Sequence, residues 1–289
     1  MDLISCVINL RAKSTILSFD FSGHKVHAWF LDQIHNLNPE WSAQLHLENE
    51  TRPFTVSPLM DGESIARTIT AGERYWFRIT GLTSTWSQTI AALAPGWQGK
   101  TIDIHPAAFQ VETCPSDPNH HPWAGEACYE TLQQIGKNSQ NNKRLPLTFV
   151  TPTVFSSDGY DYVLPVPKLI YWNVWSRLTA MYPRYIDFDL TKFVERWTNV
   201  SRCEGETQRE VYKNDGHTVD VSGFVGGELI CFKKYNKKSN VTSKQWEQGL
   251  AHLRMLGALA FYFGVGRYTA RGFGMVKPDN SIKSRYGER

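Results

Sequence analysis

The order of strand and helix signals predicts an α+β protein built of two similar halves, and three observations carry that prediction. Apolar residues alternate loosely in some stretches and recur at helical spacing in others, and the two kinds of stretch interleave along the chain. A segment rich in Pro, Asn, Ser and Lys, from Cys114 to Arg144, divides the sequence near its middle. Each side of that divide repeats a similar order of elements although the residues do not repeat.

In the first half, Leu3 to Leu10 alternates as a strand and leads through STILSFDFSG to HKVHAWFLDQIHNL, where Val26, Phe30, Ile34 and Leu37 recur at helical spacing. A short helix is expected from Pro39, suited to a first helical position after Asn38, through Leu45. Arg52 to Met60 and Arg74 to Leu82 read as strands, with DGES and TAGE as turns. TSTWSQTIAALAPG reads as a helix that opens on a Thr or Ser cap and closes before Pro95, and KTIDIHPAAFQVET is strand again.

In the second half LPLTFVTPTVF is a strand, KLIYWNVWSRLTAMY and DLTKFVERW are helical, and strands lie within VSRCEGETQREVY and TVDVSGFVGGELICF. A long helix runs from about Thr242 to Phe263 with Thr242 and Gln245 in capping-box positions, and RGFGMVKP closes as the last strand. The order strand, helix, strand, strand, helix, strand is ferredoxin-like, the topology of RRM-type RNA-binding domains. The expected architecture is therefore two tandem ferredoxin-like (RRM-like) domains, over 1–115 and 145–289, joined by a linker over 116–144 that has room for one short helix at YETLQQI.

The 289 residues carry 41% hydrophobic content, that of a globular and not a disordered chain, and a formal charge of +3, so that any polyanion is met by a local patch and not by a supercharged surface. Five scattered cysteines, with no C-x-x-C, suit a reducing cytoplasm. The N-terminal stretch reads as a strand and not a signal peptide, and no segment has the apolar length to span a bilayer, so a cytoplasmic protein without membrane contact is expected.

The densest local signal is GVGRYTARGFGMV, with Gly264, Gly266, Gly272 and Gly274 interleaved with Arg267 and Arg271. It is not a P-loop, because G-x-x-x-x-G-K-[ST] is absent and a helix precedes it. It lacks the context of a dinucleotide fingerprint as well. Two readings stay open: a loop whose bare amides and arginines hold phosphate, or a helix C-cap followed by bulge glycines.

This segment resembles the C-terminal glycine-rich signature of the CRISPR-associated repeat-RNA endoribonucleases, the Cas-six family. Other stretches are similar in the same order: Asn38-Pro39, Leu45-His46, basic Arg52, then Phe54, Thr55 and Ser57; LTFVTPTVF from Leu147; LPVPKLIYWNVWSRL from Leu164; and GFVGGELICF. The resemblance leaves mainly 114–144 unmatched. It implies a metal-independent ribonuclease, needing no cofactor, that cuts CRISPR precursor RNA within the repeat by 2′-hydroxyl attack and keeps the crRNA. Such chemistry needs a base, an acid and a donor for the extra charge of the phosphorane.

His46 occupies the family's Leu-His position and is the first catalytic candidate; Arg52 matches the basic position downstream. His24, His27 and His35 fall on one arc of the first helix, and His27 lies nearest its apolar face, which makes it the second candidate and His35 the third. Where some members carry a helix tyrosine, this chain has Leu31, so acid and base are not both assigned. Gly264, Gly266, Arg267, Arg271, Gly272 and Gly274 are the expected RNA-binding loop. Lys233 and Lys234, in KKYNKK with Lys237 and Lys238, add phosphate contacts or form a solvated turn.

RRM-type aromatic platforms are not evident, so recognition by hairpin shape and phosphate is expected. Cys114, His120, His121 and Cys128 match no standard zinc spacing, and no metal is expected. Further CRISPR effector subunits are expected partners, and a homodimer stays open. The competing readings are a non-cleaving RNA-binding subunit of the same family and a generic tandem RRM protein.

Overall fold

The computed structural model describes residues 1–45, 51–138, 143–182, 190–214, 216–237 and 241–278. Among them no helix is long and apolar enough to cross a membrane. The chain divides into two compact units. The first comprises residues 1–127, 209–221 and 268–273, and the second the remainder.

The first unit runs β1 (Leu3–Ala12), α1 (Gly23–Leu37), α2 (Pro39–Leu45), β2 (Phe54–Val56), β3 (Met60–Asp61), β4 (Ser64–Ile65), β5 (Arg74–Gly81), α3 (Ser84–Trp97), β6 (Thr101–Ile104), β7 (Ala107–Thr113) and β8 (Gly125–Ala127). Its sheet is antiparallel in the order β4-β3-β5-β1-β7-β6, with β2 on β5 and β8 on β1. The strands β2, β5, β1 and β7 reproduce the ferredoxin-like order around a central first strand.

Alternation along β1 and β5 sets the two faces. Ile4, Ile8 and Leu10 of β1 and Phe77 and Ile79 of β5 join the core with Val26, Phe30 and Ile34 of α1. Leu37, expected on that stripe, is instead about half exposed, because α1 ends at Asn38. Asn38 caps α2, its Oδ1 accepting from the amides of Glu40 (3.0 Å) and Trp41 (3.1 Å). The expected closure of α3 before Pro95 is corrected: the helix continues to Trp97, whose buried indole lies edge-on to Trp29 at 5.2 Å. Packing of the last turn outweighs the lost amide there.

The second unit runs α4 (Tyr129–Asn138), β9 (Arg144–Thr153), β10 (Phe155–Ser157), β11 (Tyr160–Tyr162), α5 (Pro167–Met181), α6 (Leu190–Trp197), β12 (Thr198–Asn214), β13 (His217–Phe232), α7 (Ser243–Phe263) and β14 (Val276–Pro278). Its sheet order, β12-β13-β9-β14, is again ferredoxin-like. The capping box expected at Thr242 and Gln245 is formed. The segment expected as a linker, 116–144, holds β8, hydrogen-bonded to β1, and α4, where Gly136 lets the helix approach Ala251 of α7. The two strands β12 and β13 are 17 and 16 residues long, and their far halves, 209–221, belong to the first unit.

Candidate functional site

The histidines of α1 fall into three environments. His35 is exposed in the last turn. His27 is half-buried, its ring 5.6 Å from Phe54 and nearly parallel to it, so the helix sets this imidazole beside β2, two residues from Arg52. Arg52 itself is half-buried. His46 lies outside the described residues, in the stretch between α2 and Thr51. His27 and the Arg52–Phe54 stretch are thus brought together, whereas His35, eight positions along α1, points to solvent.

His24 is part of a cluster that the sequence does not announce. Its ring stacks on Tyr212 at 4.4 Å and 12°. Phe21 lies 4.5 Å from Phe273, and both rings flank Tyr212. Burial, and then the neighbouring Lys25, push the His24 pKa down from 6.5 to about 4, so this imidazole is neutral at physiological pH. Burial raises the Tyr212 hydroxyl, and the Arg271 guanidinium beside it pulls the other way. Tyr212 arrives on the far half of the β12–β13 hairpin, next to Glu210, a buried carboxylate gripped by both nitrogens of Arg67. The signal that would have found it is strand length, since 16 or 17 residues is about three times the ordinary strand.

Of the two readings left open for the glycine-rich segment, the helix C-cap is the one formed at Gly264. In the second unit, the N–H of Gly264 caps α7 on Ala260 (2.9 Å) and that of Gly266 donates to Asn173 Oδ1 (2.9 Å). The amides of Val265, Arg267 and Gly274 donate to the carbonyls of Gly274, Val154 and Pro152. In the first unit, the amides of Arg271 and Phe273 both donate to Tyr268. These donors are already used, so the glycines serve backbone conformation: φ is +64° at Gly264, +84° at Gly266, +93° at Gly272 and +67° at Gly274.

Close approach is the second reason. A Cβ on Gly23 would lie 2.1 Å from the carbonyl oxygen of Arg271, and one on Gly272 would lie 2.7 Å from the Cα of Gly23. The 3-10 turn over Thr269–Arg271 therefore rests backbone to backbone on the start of α1, and Arg271 stands with His24 and Tyr212. Arg267, in the second unit, pairs with Asp161 at 2.5 Å. Lys233 and Lys234 are both exposed just beyond β13.

The nominal zinc ligands do not assemble: among the described residues no three His, Cys, Asp or Glu side chains form a metal-binding group. Burial pushes the Cys114 thiol up to about 11, and His120 sits 3.7 Å from Asp117.

Comparison with known proteins bears on the family and the fold. Residues 3–134 match the CRISPR Cas6 N-terminal domain, and residues 147–276 match the CRISPR-associated endoribonuclease Cas6. No curated protein matches the chain. Among solved structures, a Cas6 (TTHA0078) product complex is 25% identical with a TM-score of 0.74, covering 97% of this chain and all of that one. Thermus thermophilus Cas6 (TTHB231) is 21% identical with a TM-score of 0.68, covering 96% of this chain and 98% of that one. A RAMP protein described as binding different RNA substrates is 12% identical, with a TM-score of 0.55 and coverage of 96% and 100%. With two family matches that together run from residue 3 to residue 276, and the ferredoxin-like order in both units, this chain belongs to the CRISPR-associated Cas6 endoribonuclease family.

Proposed function

We propose that this chain binds CRISPR repeat RNA, cuts it once per repeat by general acid-base catalysis without a metal, and retains the crRNA. The observation that carries this reading is the placement of the half-buried His27 beside Phe54, in the strand that follows Arg52. One side of the site is thus a titratable ring held at the edge of the core and the other a fixed cation. His46 stands between them in sequence, after α2 and before Arg52.

In this mechanism one imidazole takes the proton of the 2′-hydroxyl as its oxygen attacks the adjacent phosphorus. A second proton carrier protonates the departing 5′-oxygen. The products are a 2′,3′-cyclic phosphate and a 5′-hydroxyl. His46 and His27 are the proton carriers, with His35 third in order because it is exposed, and Arg52 stabilises the charge of the phosphorane. Neutral His24 packs on Tyr212, and Arg271 beside it supplies a phosphate donor. Gly264, Gly266, Gly272 and Gly274 shape the loop that carries Arg267 and Arg271, while Lys233 and Lys234 add screened, nonspecific attraction. Catalysis falls to residues 1–115 and RNA retention to residues 145–289.

Incubating the protein with repeat RNA in EDTA tests this directly. A single cut leaving a cyclic phosphate supports it; a requirement for added metal, or cuts scattered over unrelated RNA, overturns it. One observation favours a second reading. Leu31, buried at 8% exposure where some family members carry a tyrosine, removes a proton carrier from α1. Tight repeat binding with no cut would select the non-cleaving subunit.

A further inference from the structure

Residues 209–221, the far half of the β12–β13 hairpin, form an arm within the first unit, and its two faces differ. Strand alternation turns Glu210 and Tyr212 inward, at 3% and 4% exposure, and leaves Arg209, Val211 and Lys213 in solvent. Both buried residues of that stretch are polar. Glu210 is explained by its partner: both terminal nitrogens of Arg67 donate to its carboxylate, one of them at 2.9 Å, so the buried charge is paired and the arm is pinned to the segment before β5.

Tyr212 is not explained by packing alone. Its ring is, because it stacks on His24 at 4.4 Å and has Phe21 at 6.0 Å and Phe273 at 6.4 Å. Its hydroxyl oxygen, however, is buried and makes no hydrogen bond of ordinary geometry. Phenylalanine would fill the same space without drying an unpartnered hydroxyl, so the oxygen needs another use. The charged group it meets is the Arg271 guanidinium, which is near enough to oppose the effect of burial on the phenol.

The main chain of Arg271 is fixed. Its amide donates to Tyr268 at 2.7 Å, and its carbonyl lies against Gly23, where a Cβ would come within 2.1 Å of the oxygen. The guanidinium stands at the end of a long rotatable side chain, and holding a phosphate costs the freedom of those rotations unless a neighbour has already removed it. A phenol oxygen in a dry site is such a neighbour, because its attraction for a cation is little screened there. Arg271 is half-buried, which leaves part of it open to a ligand. We propose that Tyr212 is a positioning residue that touches no RNA: pinned through Glu210 and Arg67, the arm presents the Tyr212 hydroxyl to the Arg271 guanidinium and orients that cation for an RNA phosphate. The proposal rests on the reading of the chain as a repeat-RNA binder, and it gives the long hairpin a part in that binding.

The test is a double-mutant cycle in the full chain, in which wild type, Tyr212→Phe, Arg271→Ala and the double variant are titrated with repeat RNA at low salt. Tyr212→Phe keeps the ring on His24 and removes only the hydroxyl. It is expected to weaken binding about three- to tenfold, to leave the single-turnover rate at saturating RNA within about twofold, and not to lower the thermal midpoint, since the lost hydroxyl had no partner. In the Arg271→Ala background the same change is expected to leave affinity where Arg271→Ala alone puts it. If Tyr212→Phe binds like the wild type, weakens binding equally with and without Arg271, or loses affinity and thermal stability together, the positioning role is overturned, and wild-type binding and cleavage in the same titrations keep the processing reading. If the wild type binds without cutting, the affinity cycle decides in the same way. If the wild type binds no repeat RNA, both fall.

Discussion

The two ferredoxin-like units place their polar groups in opposite ways. In the first, α1 buries Val26, Phe30 and Ile34 and keeps His24 and His27 half-exposed at the edge of that stripe. In the second, the corresponding helix α5 buries Tyr171 among Ile170, Val174 and Trp175, with Glu228 of β13 close enough to act on it electrostatically. The Tyr171 hydroxyl and both Glu228 oxygens are buried without a hydrogen-bond partner. One topology thus holds titratable groups at a half-exposed edge in one unit and, in the other, in an interior where they can only affect stability. The edge groups are the candidates for chemistry.

The sharpest way to break this contrast is to remove the edge groups. His46→Ala is expected to slow single-turnover cleavage by about 10²–10⁴-fold, and His27→Ala by about 10²-fold, with repeat-RNA affinity nearly unchanged. Wild-type rates in both variants would end the assignment of chemistry to this edge. His35→Ala, at an exposed position, is the control expected to retain cleavage within a fewfold.

Backbone contact gives the next largest effect. Gly272→Ala puts a side chain into the left-handed region at φ +93° and within 2.7 Å of Gly23. It is expected to destabilise the first unit by ~3 kcal/mol or more, read as a lower urea midpoint. Gly99→Ala has φ +78° but open space around it, and should cost only ~1 kcal/mol. Equal midpoints would mean that the loop does not need its seat on α1.

These effects mark how far the sequence could be read. Periodicity located α1 and capping signals located α3 and α7, and both sheets follow the ferredoxin-like order, because a buried stripe or a capping box is written in neighbouring residues. The glycine-rich segment was legible as a motif but not as a mechanism. Its cap on Ala260 and its turn on Tyr268 are local, but the amides of Gly266 and Arg267 are spent on Asn173 and Val154, 93 and 113 residues away, whose positions no local pattern encodes. Tyr212 was invisible for the same reason: it meets His24 only because β12 and β13 outrun their own sheet.

The interior groups predict a pH dependence of stability. Burial pushes Glu228 from 4.5 up to about 8, so the folded chain keeps a proton that the unfolded chain releases above about pH 4.5. Between those values the folded state binds more protons, and stability falls as pH rises, levelling off above about 8. A loss on the order of a few kcal/mol across pH 5 to 8 is expected from thermal or urea unfolding, and Glu228→Gln should flatten it. A wild-type profile already flat over that range would show that Glu228 finds a partner or water in solution, and that the interior of the second unit is less dry than its packing implies.

The smallest effect concerns Arg267, whose guanidinium is held by Asp161 at 2.5 Å with both side chains close to half exposed. An exposed pair of this kind contributes at most ~1 kcal/mol, so breaking it should scarcely change stability. Its consequence is for RNA, because a phosphate must compete with the carboxylate for the same donors. Asp161→Asn is therefore expected to tighten repeat-RNA binding by about twofold and Arg267→Ala to weaken it by a similar factor, both at low salt and both fading as salt rises. Arg271, which stands with Tyr212 and His24, should cost more when changed to alanine. If Asp161→Asn weakened binding instead, Asp161 would be orienting Arg267 toward the phosphate and not withholding it, and the ion pair would be part of the grip.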